Sequence, residues 1–60
     1  MKLVEFYSPT TNEKMIVNCE KIAFLECSEV YANATNICFT NTKYLIVKGG
    51  LDEISKRIQE

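Results

Sequence analysis

The sequence predicts an α+β fold: a small antiparallel β-meander of about five strands with one C-terminal helix packed on one face. Three observations predict it. Upstream of Gly49, apolar and polar residues alternate with period 2 in short runs rich in β-branched and aromatic side chains, the pattern of half-buried strands. Clusters of Ser, Pro, Asn and Thr separate those runs at turn-like intervals. After Gly49 and Gly50 the apolar spacing changes to three and then four, at Leu51, Ile54 and Ile58, which is one stripe of a helix.

The elements follow in order. Leu3 to Tyr7 reads as a first strand, with Lys2, Val4 and Phe6 alternating and apolar groups on both faces. Ser8-Pro9-Thr10-Thr11-Asn12 is a turn cluster in which Pro9 fixes φ and removes a ladder donor. Lys14 to Asn18 returns as a strand, Met15 and Val17 on one side and Ile16 on the other, and closes a hairpin. Asn18-Cys19-Glu20-Lys21 is a polar break. Ile22-Ala23-Phe24-Leu25 is a continuous apolar run, long enough for a buried strand but too short for a helix with its own caps. Glu26 to Thr35 is open at this level: Val30 and Tyr31 extend a strand, or Ser28 to Ala34 form a loop that holds the ring against the sheet.

The stretch from Asn36 to Gln59 organises the rest. Ile37 and Phe39 alternate with Cys38 and Thr40, and Tyr44 and Ile46 alternate with Leu45 and Val47, on either side of a break at Asn41 and Thr42. A two-residue loop would set Phe39 opposite Tyr44 and Ile37 opposite Ile46. Thr42 fits poorly the positive φ of a type I′ turn, and a longer loop would shift the register. The second of these strands is apolar on both sides in any register, which predicts an interior position. The helix that follows carries Asp52 with Lys56 and Glu53 with Arg57 as i,i+4 pairs, worth about 0.2–0.5 kcal/mol each. Its acids come first and its bases last, matching the macrodipole. Short connections make consecutive strands the expected partners.

Sixty residues make one domain, 1–60, with little core. Chains of this size bury only about 60% of their unfolded surface and often lean on disulfides, metals or association. The three cysteines are odd in number and match neither a disulfide framework nor a CxxC motif. With no signal-peptide pattern in the opening Met-Lys-Leu-Val-Glu, a cytoplasmic protein with reduced thiols is expected. No apolar run approaches the roughly 20 residues of a membrane span. A net charge of -1 supplies no global basic field for nucleic acid or anionic lipid. Histidine is absent, which removes the usual general base and the commonest metal ligand.

Laid out in order, Ile22-Ala23-Phe24-Leu25-Glu26, Ile37-Cys38-Phe39-Thr40-Asn41, Tyr44-Leu45-Ile46-Val47-Lys48 and Leu51-Asp52-Glu53-Ile54 resemble the small FlbD-like flagellar and swarming-motility proteins. The likeness covers most of the chain. It implies a small regulatory or interaction protein and carries no site residues. The same run is similar to the first half of a LytTR DNA-binding domain. That domain continues into a His-Arg motif contacting DNA, which this histidine-free sequence lacks.

No motif here carries recognisable chemistry. Cys19, Cys27 and Cys38 read as buried or half-buried small hydrophobes, since no pair has zinc-knuckle spacing. Glu20, Glu26 and Glu29 read as solvated strand edges and loops. Asn33-Ala34-Thr35 matches a glycosylation acceptor, a pattern common by chance, and is set aside. Lys43, Tyr44 and Lys48, with Phe39 and Asn41, are the candidate ligand or interface residues: a small stacking surface for a base or nucleotide, or strand-edge lysines that discourage aggregation. A second apolar sheet face, drawn from Val4, Phe6, Ile16, Ala23, Leu25, Leu45 or Val47 depending on register, is expected to exceed what one short helix covers. The expectation is therefore a non-enzymatic regulatory or interaction module, without cofactor or metal, that forms a homo-oligomer or meets a protein partner. The alternative is a binder of an anionic nucleotide or short nucleic acid in an oligomer groove, in a bacterial, phage or mobile-element setting.

Overall fold

The period-2 stretches become five strands and the three-four stripe becomes a helix in the computed structural model, which describes all 60 residues. The strands are β1 (Leu3–Tyr7), β2 (Lys14–Asn18), β3 (Phe24–Cys27), β4 (Ala34–Cys38) and β5 (Tyr44–Lys48), and the helix is α1 (Leu51–Gln59). All pairing is antiparallel, as expected of an α+β meander. The meander is divided, however: β1 and β2 form one sheet, and β3, β4 and β5 form another in that order. Consecutive strands pair everywhere except between β2 and β3. There the polar break becomes a 3₁₀ turn at Cys19–Lys21, with the Asn18 side chain accepting from the Glu20 N–H at 3.1 Å.

The hairpin, the helix and one face of the three-stranded sheet enclose the core. Phe6 and Val17 come from the hairpin, Ile37 and Val47 from the sheet, and Ile54 from the helix. Val4, Met15, Ile22, Leu25, Phe39, Leu45 and Ile58 pack around them. Of the residues expected on an uncovered apolar face, Val4, Phe6, Leu25, Leu45 and Val47 thus lie in or against the core. Only Ile16 and Ala23 stand outside it. The hairpin folds over the sheet beside the helix and shares the covering, which a reading that placed all five strands in one layer does not anticipate.

The apolar run Ile22–Leu25 is likewise not one buried strand. Ile22 and Ala23 precede β3, and Phe24 lies half-exposed on the sheet face turned away from the core. Nor is β5 interior, despite its two apolar sides. Strand β4 is central, and β5 lies at the sheet edge with β1 beside it, so Leu45 and Val47 fill the core while Tyr44 and Ile46 face away.

Backbone clamps join sheet to helix around Gly49. Its N–H donates to the Asn33 carbonyl at 2.8 Å, and its own carbonyl accepts from the buried Thr35 hydroxyl at 2.9 Å. The Asn33-Ala34-Thr35 triplet therefore has a structural role: Asn33 turns the chain at φ 55°, Ala34 is buried, and Thr35 anchors the strand-to-helix link. Gly49 has φ 120°, and an added Cβ would lie 3.0 Å from Ile54 Cδ1. Gly49→Ala is expected to cost on the order of 1–3 kcal/mol from backbone strain and displacement of Ile54. Urea unfolding monitored by circular dichroism checks this, and an unchanged midpoint would contradict it.

The helix also grips the hairpin. Lys2 Nζ donates to the Ile58 carbonyl, placing a cation at the helix C-terminus where the macrodipole favours it. Arg57 donates to the Glu5 carbonyl, and its guanidinium lies 4.9 Å from the centre of the Phe6 ring. The expected Asp52–Lys56 and Glu53–Arg57 pairs do not form; the ion pairs present are Met1 N-terminus with Glu20 and Glu5 with Lys14. An exposed i,i+4 pair is worth little beside the contacts Arg57 makes across the hairpin.

Candidate interaction surface

The loop between β4 and β5 decides which side chains reach the outer sheet face. It has three residues, Thr40 to Thr42: the Phe39 N–H donates to the Lys43 carbonyl at 2.9 Å. Thr40 Oγ1 accepts from the N–H groups of Thr42 at 3.2 Å and Lys43 at 3.0 Å. In the resulting register Cys38 opposes Tyr44 and Ile37 opposes Leu45. The two-residue alternative, with Phe39 opposite Tyr44 and Ile37 opposite Ile46, is not the one formed. Phe39 therefore packs against the core, on the other face from Tyr44. Asn41 and Lys43 are exposed at the loop tip and strand entry, and Lys48 is exposed at the far end of β5. The expected stacking set is split between two faces.

What the fold assembles instead is a set of cross-strand rows on the face turned away from the helix. The first row is Phe24, Cys38 and Tyr44; the second is Glu26, Asn36 and Ile46; Ala34 and Lys48 make the third. Phe24 is 45% and Tyr44 60% exposed, as two aromatic ridges on the outer strands, while Cys38 between them is buried. The segment after β3 curls onto this face as a loop, not a strand. Ser28 Oγ accepts from the N–H groups of Val30 at 3.2 Å and Tyr31 at 3.1 Å, and Asn33 at positive φ returns the chain to β4. Tyr31 remains partly exposed at this loop and Val30 more so.

Sheet face and loop together form a cleft of about 300 Å³ lined by Glu26, Cys27, Ser28, Glu29, Val30, Asn36, Tyr44 and Ile46. Two carboxylates and no cationic side chain line it, and neither carboxylate is in an ion pair. The Asn36 Oδ1 is buried and has no hydrogen-bond partner. Such a lining accepts donors and positive charge, and it works against an anionic nucleotide. Asn36, Glu26 and Ile46 belong to this surface without having been singled out as a group, since only the register brings them together.

The three thiols are not equivalent. Cys38 is buried, Cys19 half-buried, and Cys27 exposed at the end of an edge strand, contrary to the expectation that all three are buried or half-buried. Burial pushes the Cys38 thiol above its usual range, and the charge and hydrogen-bond acceptance of Glu26, 3.9 Å from its Sγ, push the same way. Iodoacetamide is expected to label Cys27 first and Cys38 only on unfolding, as read by peptide mass spectrometry; prompt labelling of Cys38 would contradict the burial. The raised value also fixes a sign. A folded state that holds the proton more tightly is favoured below the thiol's ordinary range and loses that advantage as the pH climbs through it. Urea midpoints should therefore fall more steeply above about pH 8.5 for the native chain than for Cys38→Ala, and in parallel below it.

Compared with family models, with curated proteins and with solved structures, the chain matches none of them. No helix is long and apolar enough to cross a membrane.

Proposed function

We propose that the chain is a small, non-enzymatic regulatory or interaction module that self-associates through the sheet face turned away from the helix. One observation carries the reading: Phe24 and Tyr44 stand as exposed ridges on that face, beside a cleft whose two carboxylates, Glu26 and Glu29, are in no ion pair within the chain. A second apolar surface exists on the outer side of the hairpin, at Leu3, Tyr7 and Ile16. There the charges are already matched within the chain, by Glu5 and Lys14 at 3.8 Å, and the surface is only two strands wide. The sheet face has the exposed charges Glu26, Glu29 and Lys48 in no ion pair within the chain, and for that reason it is the better contact surface. A cytoplasmic setting in a bacterium or phage, with the thiols reduced, fits this reading, as does the regulatory role implied by the FlbD-like resemblance.

Light scattering over a concentration series tests it. The expected result is a mass that rises from monomer toward dimer between about 1 and 100 μM, with Phe24→Ser/Tyr44→Ser staying monomeric. A native chain that remains monomeric throughout would overturn the reading.

A further inference from the structure

We infer that two copies pack this sheet face to face about a two-fold axis running along β4, with Lys48 of each copy engaging Glu26 and Glu29 of the other. The inference rests on the self-association proposed above and names its geometry. A two-fold axis parallel to β4 and midway between the two facing sheets places the β3 column of one copy over the β5 column of the other and keeps the rows in step. In the observed register, Phe24 of one copy then meets Tyr44 of the second copy at one end. Lys48 meets the end of β3 and its following loop, where Glu26 and Glu29 lie, at the other. Aromatic faces aromatic and base faces acid, twice each, as an isologous contact demands.

The charges are available for this use. Neither Glu26, Glu29 nor Lys48 is in an ion pair within the chain, and all three are exposed. Asn36 stands in the central column beneath the axis, between Glu26 on β3 and Ile46 on β5. The area sets the extent. A standard interface buries about 800 Å² per partner, close to a fifth of the 4248 Å² surface of this chain. Three strands of four or five residues fall short of that, so the contact includes the loop carrying Val30 and Tyr31, and its affinity belongs to the weak, reversible class.

Paired charge reversals test the geometry. Lys48→Glu alone, and Glu26→Lys/Glu29→Lys alone, each set like charges against one another across the axis. Each is expected to weaken self-association by about tenfold or more, with folding verified by circular dichroism. Mixed one to one, the two variants should form a heterodimer at native concentration or below, read by sedimentation velocity. Lys56→Glu has the same net charge as Lys48→Glu but lies on the helix, and it should dimerise as the native chain does. If the native chain dimerises and the reversals leave it unchanged, or mixing fails to restore the dimer, this geometry is wrong while self-association stands. If the native chain is monomeric, both fall.

Discussion

Phe6→Ala is expected to remove about half or more of the domain's stability and to move its urea midpoint sharply downward. Phe6 is fully buried and belongs to the cluster in which hairpin, sheet and helix meet. Truncating a core phenylalanine costs about 3–5 kcal/mol in lost transfer energy and cavity. At roughly 0.05–0.15 kcal/mol per residue, a domain of this size has only about 3–9 kcal/mol to lose. The ring is also the platform for Arg57, so its removal takes away one of the contacts holding the helix to β1. Phe6→Leu, which keeps most of the volume, should retain a cooperative transition at a lower urea midpoint. A Phe6→Ala chain with a native-like midpoint would mean that the hairpin does not share the core.

Ile54→Ala should have the next largest effect, about 2–5 kcal/mol. Ile54 is the one fully buried residue of the helix, with Leu51 and Ile58 only partly covered beside it. A nine-residue helix is marginal in water without tertiary packing. Its first turn has no side-chain cap, because Gly50 occupies the N-cap position. Losing the central contact therefore detaches the helix and uncovers Ile37 and Val47 beneath. Far-ultraviolet circular dichroism at several urea concentrations reads this directly. Preservation of the native helical signal and midpoint would show that the grips of Lys2 and Arg57 suffice to hold the helix.

The sequence makes the local elements legible and leaves their assembly open. The stripe Leu51, Ile54 and Ile58 and the Gly49-Gly50 break mark the helix because spacing and breakers act within one turn of chain. The hairpin Lys14–Asn18 with Leu3–Tyr7 is similarly local, its turn closed by Ser8 N–H to the Glu13 carbonyl and by Asn12 at φ 63°. Beyond that range the signals stop. Whether β2 continues into β3 depends on a 3₁₀ turn, and nothing in Asn18–Lys21 distinguishes that turn from a tight strand connection. The loop Thr40–Thr42 sets Tyr44 on the opposite face from Phe39, because a shift of one residue exchanges the two faces of a strand. The candidate surface follows the same register: Tyr44 and Lys48 belong to it, Phe39 does not, and Phe24, Glu26 and Asn36 join only once β3 and β4 are aligned. Residues 28–33 have no periodicity to read, and their course depends on Ser28 and on the positive φ at Asn33.

The central claim is that the sheet face opposite the helix, and not the outer face of the hairpin, meets a second copy. An amide ¹H–¹⁵N correlation series on dilution of labelled chain tests it most directly. The account predicts concentration-dependent shifts at Phe24, Glu26, Asn36, Tyr44, Ile46 and Lys48, with Leu3, Ile16 and the helix unmoved. Shifts confined to Leu3, Tyr7 and Ile16, or spectra that do not change with concentration, would contradict it.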